Sequence, residues 1–171
     1  MERTLILLKP DALQRGIVGE IITRFERVGL KIVATKMLQP DYDHYHHHYE
    51  GISKMISRRG QTVFDVTLDM MQKGPVIAIV LEGVEAVGQV RKMVGTTEPK
   101  SAQPGTIRGD YAHVSFAYAD ARNLGIANLI HASGDVDEAK QEIAHWFSDK
   151  DLFSYEALHE KYTQPRRSKD T

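Results

Sequence analysis

Asn128-Leu129-Ile130-His131-Ala132-Ser133-Gly134 places a histidine between aliphatic and small residues, immediately ahead of Asp135-Val136-Asp137-Glu138. The acidic run reads as a helix start. Asp135 is placed to cap the N–H three residues on, and Glu138 to reach back to the N–H of Asp135. His131 then lies just before the positive end of a helix dipole, where free backbone N–H groups collect. A neutral imidazole there can attack an electrophile, and the anionic adduct is stabilised where it forms. Three cations stand near turn signals elsewhere: Lys9 before Pro10, Arg91 on a helix, and Arg108 at the end of a long loop. With His131 and the hydroxyl of Thr97 they suit a polyphosphate, since arginine offers a planar fork and lysine a point charge. Phosphoryl transfer needs mainly positioning and charge stabilisation, which a Lys–Arg–Arg clamp around a nucleophile supplies.

Other chemistries are excluded or weak. The 171 residues contain no cysteine, so disulfides, zinc–thiolate sites and thiol catalysis are out, and a reducing cytoplasm is the expected location. A net charge of −1 asks for neither nucleic acid nor a membrane surface. No apolar run approaches the ~20 residues that span a bilayer. Gly16-Ile17-Val18-Gly19 is too short for a phosphate-cradling glycine loop and no lysine follows it, and there is no dinucleotide fingerprint. In His44-Tyr45-His46-His47-His48, His44 with His47 or His48 shares a helix face and could chelate, but without cysteine or paired acidic ligands the run reads as a solvated helix face.

The elements that must position these groups follow from hydrophobic periodicity. Strands are expected at 4–8, 30–38, 76–81 and 111–118. The last is taken from Ala112, Val114 and Phe116 alternating with His113 and Ser115. Helices are expected at 19–28, 41–58, 61–72, 84–94 and 135–147, and Val63, Val66, Met70 and Phe64 of the third are expected to face inward. Residues 95–108 form a long loop of the kind that carries function. The order suggests an α/β (α+β) domain: a ferredoxin-like split βαβ sandwich with a four-stranded antiparallel sheet and helices packed on one face. One domain over 1–160 is expected, followed by a flexible C-terminal tail, 161–171, polar and basic in Gln164-Pro165-Arg166-Arg167.

These residues carry a family likeness. Asn128-Leu129-Ile130-His131-Ala132-Ser133 resembles the active-site histidine signature of nucleoside diphosphate kinases. Lys9-Pro10-Asp11 with Gln14 to Ile22 resembles the family's first strand and helix, and Gly95-Thr96-Thr97-Glu98-Pro99 with Pro104 to Asp110 its phosphate-binding loop. The likeness covers roughly residues 3–155. It implies a phosphotransferase that moves the terminal phosphate of ATP to a nucleoside diphosphate by a ping-pong route through phospho-His131, attacking through Nδ1. Lys9, Arg91 and Arg108 would bind phosphates; Tyr49, Thr97 and Asn128 would also line the site, with Asn128 on the sugar hydroxyl. Glu142 would orient the histidine ring and Ser133 would pair with it. Mg²⁺ would arrive with the nucleotide, so no protein metal ligands are expected. ATP and nucleoside diphosphates are the implied partners, with no membrane and no obligatory nucleic acid, in a homo-oligomer: hexamer, tetramer or dimer.

Two departures from the family pattern stand out. About six extra residues lie around Ser57-Arg58-Arg59-Gly60. The resemblance places a base-stacking phenylalanine here; Phe64 is the nearest, while Val63 fits the spacing better. About ten more lie in Phe116 to Gly125, just ahead of His131, and are expected to alter assembly more than chemistry. Ala132 stands where glycine is more usual. The alternatives are a noncatalytic member that binds nucleotide, nucleic acid or protein, and a phosphohistidine donor acting on proteins. The intact set of Lys9, Arg91, Arg108, Asn128 and His131 argues against the first.

Overall fold

The computed structural model describes residues 1–158 and 160–163. Residues 164–171 of the expected tail lie outside the described residues. Four strands, β1 (Glu2–Leu8), β2 (Lys31–Leu38), β3 (Val76–Gly83) and β4 (Ile130–Ala132), form one sheet in the order β2-β3-β1-β4, every neighbouring pair antiparallel. β1 and β3 are apolar on both sides because both of their faces are covered. The crossover helices α2 (Val18–Arg27) and α6 (Ala86–Val94), with α1 (Pro10–Gln14) and α7 (Ile107–Tyr111), cover one face. There Ile21, Phe25 and Val90 pack on Ile6, Leu8, Ile79 and Leu81.

The opposite face is covered too, which corrects the expectation of helices on one face. α3 (Tyr42–His46), α5 (Gln61–Met71) and α9 (Val136–Trp146) bring Tyr45, Phe64, Leu68 and Trp146 against Leu5, Leu7, Ala78 and Val80. The long helix expected over 41–58 is broken. α3 passes into a π-helical turn, His47–Ile52, with the Ser53 N–H donating to the His48 carbonyl five residues back at 3.2 Å. The chain reverses at Lys54, whose φ of 52° is left-handed, and resumes as α4 (Met55–Arg59).

The expected strand at 111–118 is absent. Tyr111 ends α7, and Phe116–Asp120 is a short helix, α8, capped by the Ser115 hydroxyl accepting the Tyr118 N–H at 3.1 Å. The edge of β1 is instead taken by the three residues around His131. Past α9, Lys31 pairs with Glu82 and Glu160, tying the short helix α10 (Glu160–Thr163) to the sheet.

Candidate active site

His131 sits in β4 directly opposite Leu7, so its side chain shares the sheet face of Leu7, beneath α9 and the π-helical turn. Its Nε2 lies 2.8 Å from Glu142 Oε1. The other carboxylate oxygen accepts the Ser133 hydroxyl at 2.6 Å, and Ser133 Oγ in turn accepts the Leu5 N–H at 3.1 Å. Glu142 is completely buried on the inward stripe of α9, between Ala139 and Trp146. A carboxylate can only accept here, so Nε2 carries the proton and Nδ1 keeps its lone pair. Nε2 is committed to the interior, which leaves Nδ1 for the cavity that His131 lines.

The approach to β4 is tightly bent. The Ile130 N–H donates to the Asn128 carbonyl at 2.8 Å, closing a γ-turn around Leu129, whose φ is 72°. Such backbone is strained, and α1 holds it in place. The Asp11 carboxylate accepts the Leu129 N–H, and the Lys9 N–H donates to the Leu129 carbonyl, each at 2.9 Å. Lys9 Nζ donates to Asn128 Oδ1 at 2.8 Å, and Asn128 Nδ2 donates to the Thr97 carbonyl at 2.8 Å. Arg108 donates to the carbonyls of Gly95 (3.0 Å), Asn128 (3.2 Å) and Ile130. Arg91 comes from α6, 3.4 Å from the Ser133 carbonyl. Burial pulls Lys9 down to about 8, opposed by Asp11, and burial with Arg91 beside it pulls Arg108 down to about 10. Two buried cations without a full countercharge make an anion site.

Lys9, Arg91, Arg108, Asn128, Thr97 and His131 line one cavity of about 440 Å³. Tyr49 lines it as well; its buried hydroxyl has no hydrogen-bond partner among the described residues, and burial raises its phenol far above the usual range. Glu138 is the one carboxylate among the lining residues. It accepts the Gly134 N–H at 2.6 Å rather than that of Asp135, while Asp135 caps α9 through the N–H groups of Asp137 and Glu138.

The nucleoside diphosphate kinase family profile matches residues 2–152. A Borreliella burgdorferi nucleoside diphosphate kinase is 42% identical over 155 residues, covering 91% of this chain and 92% of its own. A Pyrococcus horikoshii relative of the same name is 46% identical, covering 90% of each chain. The chain belongs to the nucleoside diphosphate kinase family. Its fold agrees: the Borrelia burgdorferi enzyme, solved as a transition state mimic with bound vanadate and ADP, superposes with a TM-score of 0.91 at 41% identity, covering 94% of this chain and 95% of that one. The Halobacterium salinarum enzyme in complex with CDP superposes at 0.81 and 36% identity, covering 96% and 99%.

Within this nucleoside diphosphate kinase fold, one expected site residue is misplaced. Phe64 is 1% exposed and packs in the core against the ring of His46, so it does not line the cavity; the neighbouring Val63 does. Phe64 turns into the core with Leu68 and Met71, one step around α5 from Val63. His48 was missed. Read as part of a solvated face, it is completely buried, accepts the Trp146 Nε1–H at 3.2 Å, and stands edge-on to His131 with ring centroids 4.6 Å apart. The wide π-helical turn lets His48 and Tyr49 both point inward, which α-helical spacing does not foresee. Burial and the nearby His131 push His48 well below its ordinary value, so it stays neutral. The ligand atoms of His48, His131 and Glu142 lie within 4.8 Å of one another. Their hydrogen bonds to Trp146 and Ser133 read as a positioning network rather than a metal cage. His44 stacks on His145 at 3.9 Å instead of pairing with His48.

Proposed function

We infer that this chain is a nucleoside diphosphate kinase working through phospho-His131. One observation carries the inference: a histidine whose Nε2–H is held by a buried carboxylate lines the same cavity as Lys9, Arg91 and Arg108. In the first half-reaction the Nδ1 lone pair attacks the terminal phosphorus of ATP. The bond to the bridging oxygen breaks, and ADP leaves with that electron pair. The ring becomes positively charged as the N–P bond forms, and the Glu142 carboxylate stabilises it without taking its proton. Lys9, Arg91 and Arg108 neutralise charge on the phosphate oxygens. A second diphosphate then attacks the phosphohistidine and reverses these steps.

Mg²⁺ is proposed to come with the nucleotide, where it would neutralise phosphate charge. The cavity wall offers it only Glu138, too few ligands for a protein-held ion. A homo-oligomer and a cytoplasmic location remain part of the proposal; among the described residues no helix is long and apolar enough to cross a membrane. Initial rates with ATP and GDP varied together test the reaction. Parallel double-reciprocal lines, and no turnover by a folded His131→Ala, are expected. Intersecting lines, or an active His131→Ala, would contradict it.

A further inference from the structure

A carboxylate in the wall of an anion site works against the anion. Glu138 is the one carboxylate among the residues that line the cavity, and it shares that wall with His131 and the three cations Lys9, Arg91 and Arg108. It is half-buried at the third position of α9, three residues after the cap Asp135. One of its oxygens has a structural task. Oε2 accepts the Gly134 N–H at 2.6 Å, and the missing side chain at 134 makes room for it. A Cβ on Gly134 would stand 2.1 Å from Oε2 but 4.0 Å from Oε1, so the carboxylate lies across the glycine with Oε1 turned away.

Oε1 enters no hydrogen bond or ion pair among the described residues. The cations nearest in the chain and in the wall have other partners. Lys140 pairs with Asp137 at 3.2 Å, and Arg91 lies 3.4 Å from the Ser133 carbonyl. Arg91 and Glu138 thus hold opposite ends of the Ser133–Gly134 peptide unit, whose carbonyl and N–H point apart, and do not pair with each other. Holding the start of a helix does not need the charge, because a glutamine at this position reaches back as well as a glutamate. The charge and the free oxygen are left over, and both sit beside the phosphate-binding cations.

We propose that Glu138 makes the site select the magnesium-bearing nucleotide over the metal-free one. The proposal rests on the phosphotransfer reading above, which brings the phosphates to this wall. A bare diphosphate is repelled by the carboxylate. A diphosphate carrying Mg²⁺ is not, because the ion faces the carboxylate with positive charge and with the waters it retains, which can donate to Oε1. A single carboxylate is too weak to hold the ion without nucleotide, so it discriminates between substrates without forming a metal site.

Calorimetric titration with ADP, once in excess Mg²⁺ and once in EDTA, reads the selectivity as a ratio of two affinities. Glu138→Gln keeps an oxygen for the Gly134 N–H and removes only the charge. Metal-free ADP is expected to bind this variant about tenfold more tightly than the parent chain. The magnesium complex is expected to bind it no more tightly than the parent, so the ratio falls. Glu138→Asp, which keeps the charge, is expected to keep a ratio nearer that of the parent. A Glu138→Gln ratio equal to the parent's, or one lost equally in Glu138→Asp, would overturn the proposal. Neither titration requires transfer, so a parent chain that fails to label with ATP contradicts the phosphotransfer reading instead.

Discussion

A carboxylate in the middle of a helix's inward stripe costs several kcal/mol unless its oxygens are satisfied. Glu142 stands on such a stripe, and its two oxygens are taken by His131 and Ser133. Those two bonds offset the cost of burial, and the first fixes one tautomer of the His131 ring. Lys9 is the other buried charge with a consequence. Held at about 8, against an ordinary 10.5, it loses its proton between these values in the folded chain but not in the unfolded one. The unfolded chain then binds the extra proton, so this group's penalty is fully present below pH 8 and is relieved as pH rises from 8 to 10.5. Binding runs the opposite way, because a polyphosphate favours the charged amine. Affinity for ADP is expected to fall above pH 8, by up to about tenfold per pH unit, with proton uptake on binding. Calorimetry in buffers of different ionisation enthalpy measures that uptake. A pH-independent affinity from 7 to 10, or a Lys9→Met variant with the same slope, would contradict this account.

At the scale of elements, the site depends on short pieces held by backbone bonds. α7 presents Arg108 because the Thr106 hydroxyl accepts the Gly109 N–H at 3.1 Å and donates to the Gln103 carbonyl at 2.6 Å. A Cβ at Gly109 would stand 2.1 Å from that carbonyl oxygen, and the contact is backbone, which cannot swing aside. Gly109→Ala is expected to lose about 1–3 kcal/mol in urea unfolding and to raise the KM for nucleotide at least several-fold. Unchanged stability and KM would show that the loop is looser than this packing implies. The same shortness explains what the chain concealed. β1, β3, α2, α6 and α9 were legible because their apolar patterns run for seven residues or more. β4 has three residues, too few for alternation to register, and the alternation at 112–116 belongs to a loop and a capped turn. His131, Lys9, Arg91 and Arg108 were legible as chemistry. His48 was not, because a π-helical turn moved it to the interior. Nor was the short helix α8, because the register of an inserted segment is set by contacts such as those of Glu98 and Gly125.

The molecule as a whole carries a net charge of −1, yet five of the charges lining its cavity are positive (Lys9, Arg58, Arg59, Arg91 and Arg108) against one carboxylate. A concave wall of one sign concentrates anions and speeds their arrival, and salt screens the effect over about 30 Å at 0.01 M but only about 3 Å at 1 M. Association of ADP, followed by stopped flow, is expected to slow by about an order of magnitude between those ionic strengths. A rate independent of salt would mean that the cations hold phosphates without steering them. The sheet, covered on both faces, makes this wall rigid: His131 comes from β4, Lys9 from the end of β1 and Arg91 from α6, all anchored in the two cores. The most direct test of the central claim mixes the purified chain with labelled ATP and Mg²⁺ in the absence of acceptor. The account predicts close to one phosphate per chain, acid-labile and alkali-stable, located on His131 Nδ1, released as GTP when GDP is added, and missing from His131→Ala. A folded chain that never labels, or a label that survives in His131→Ala, would contradict it.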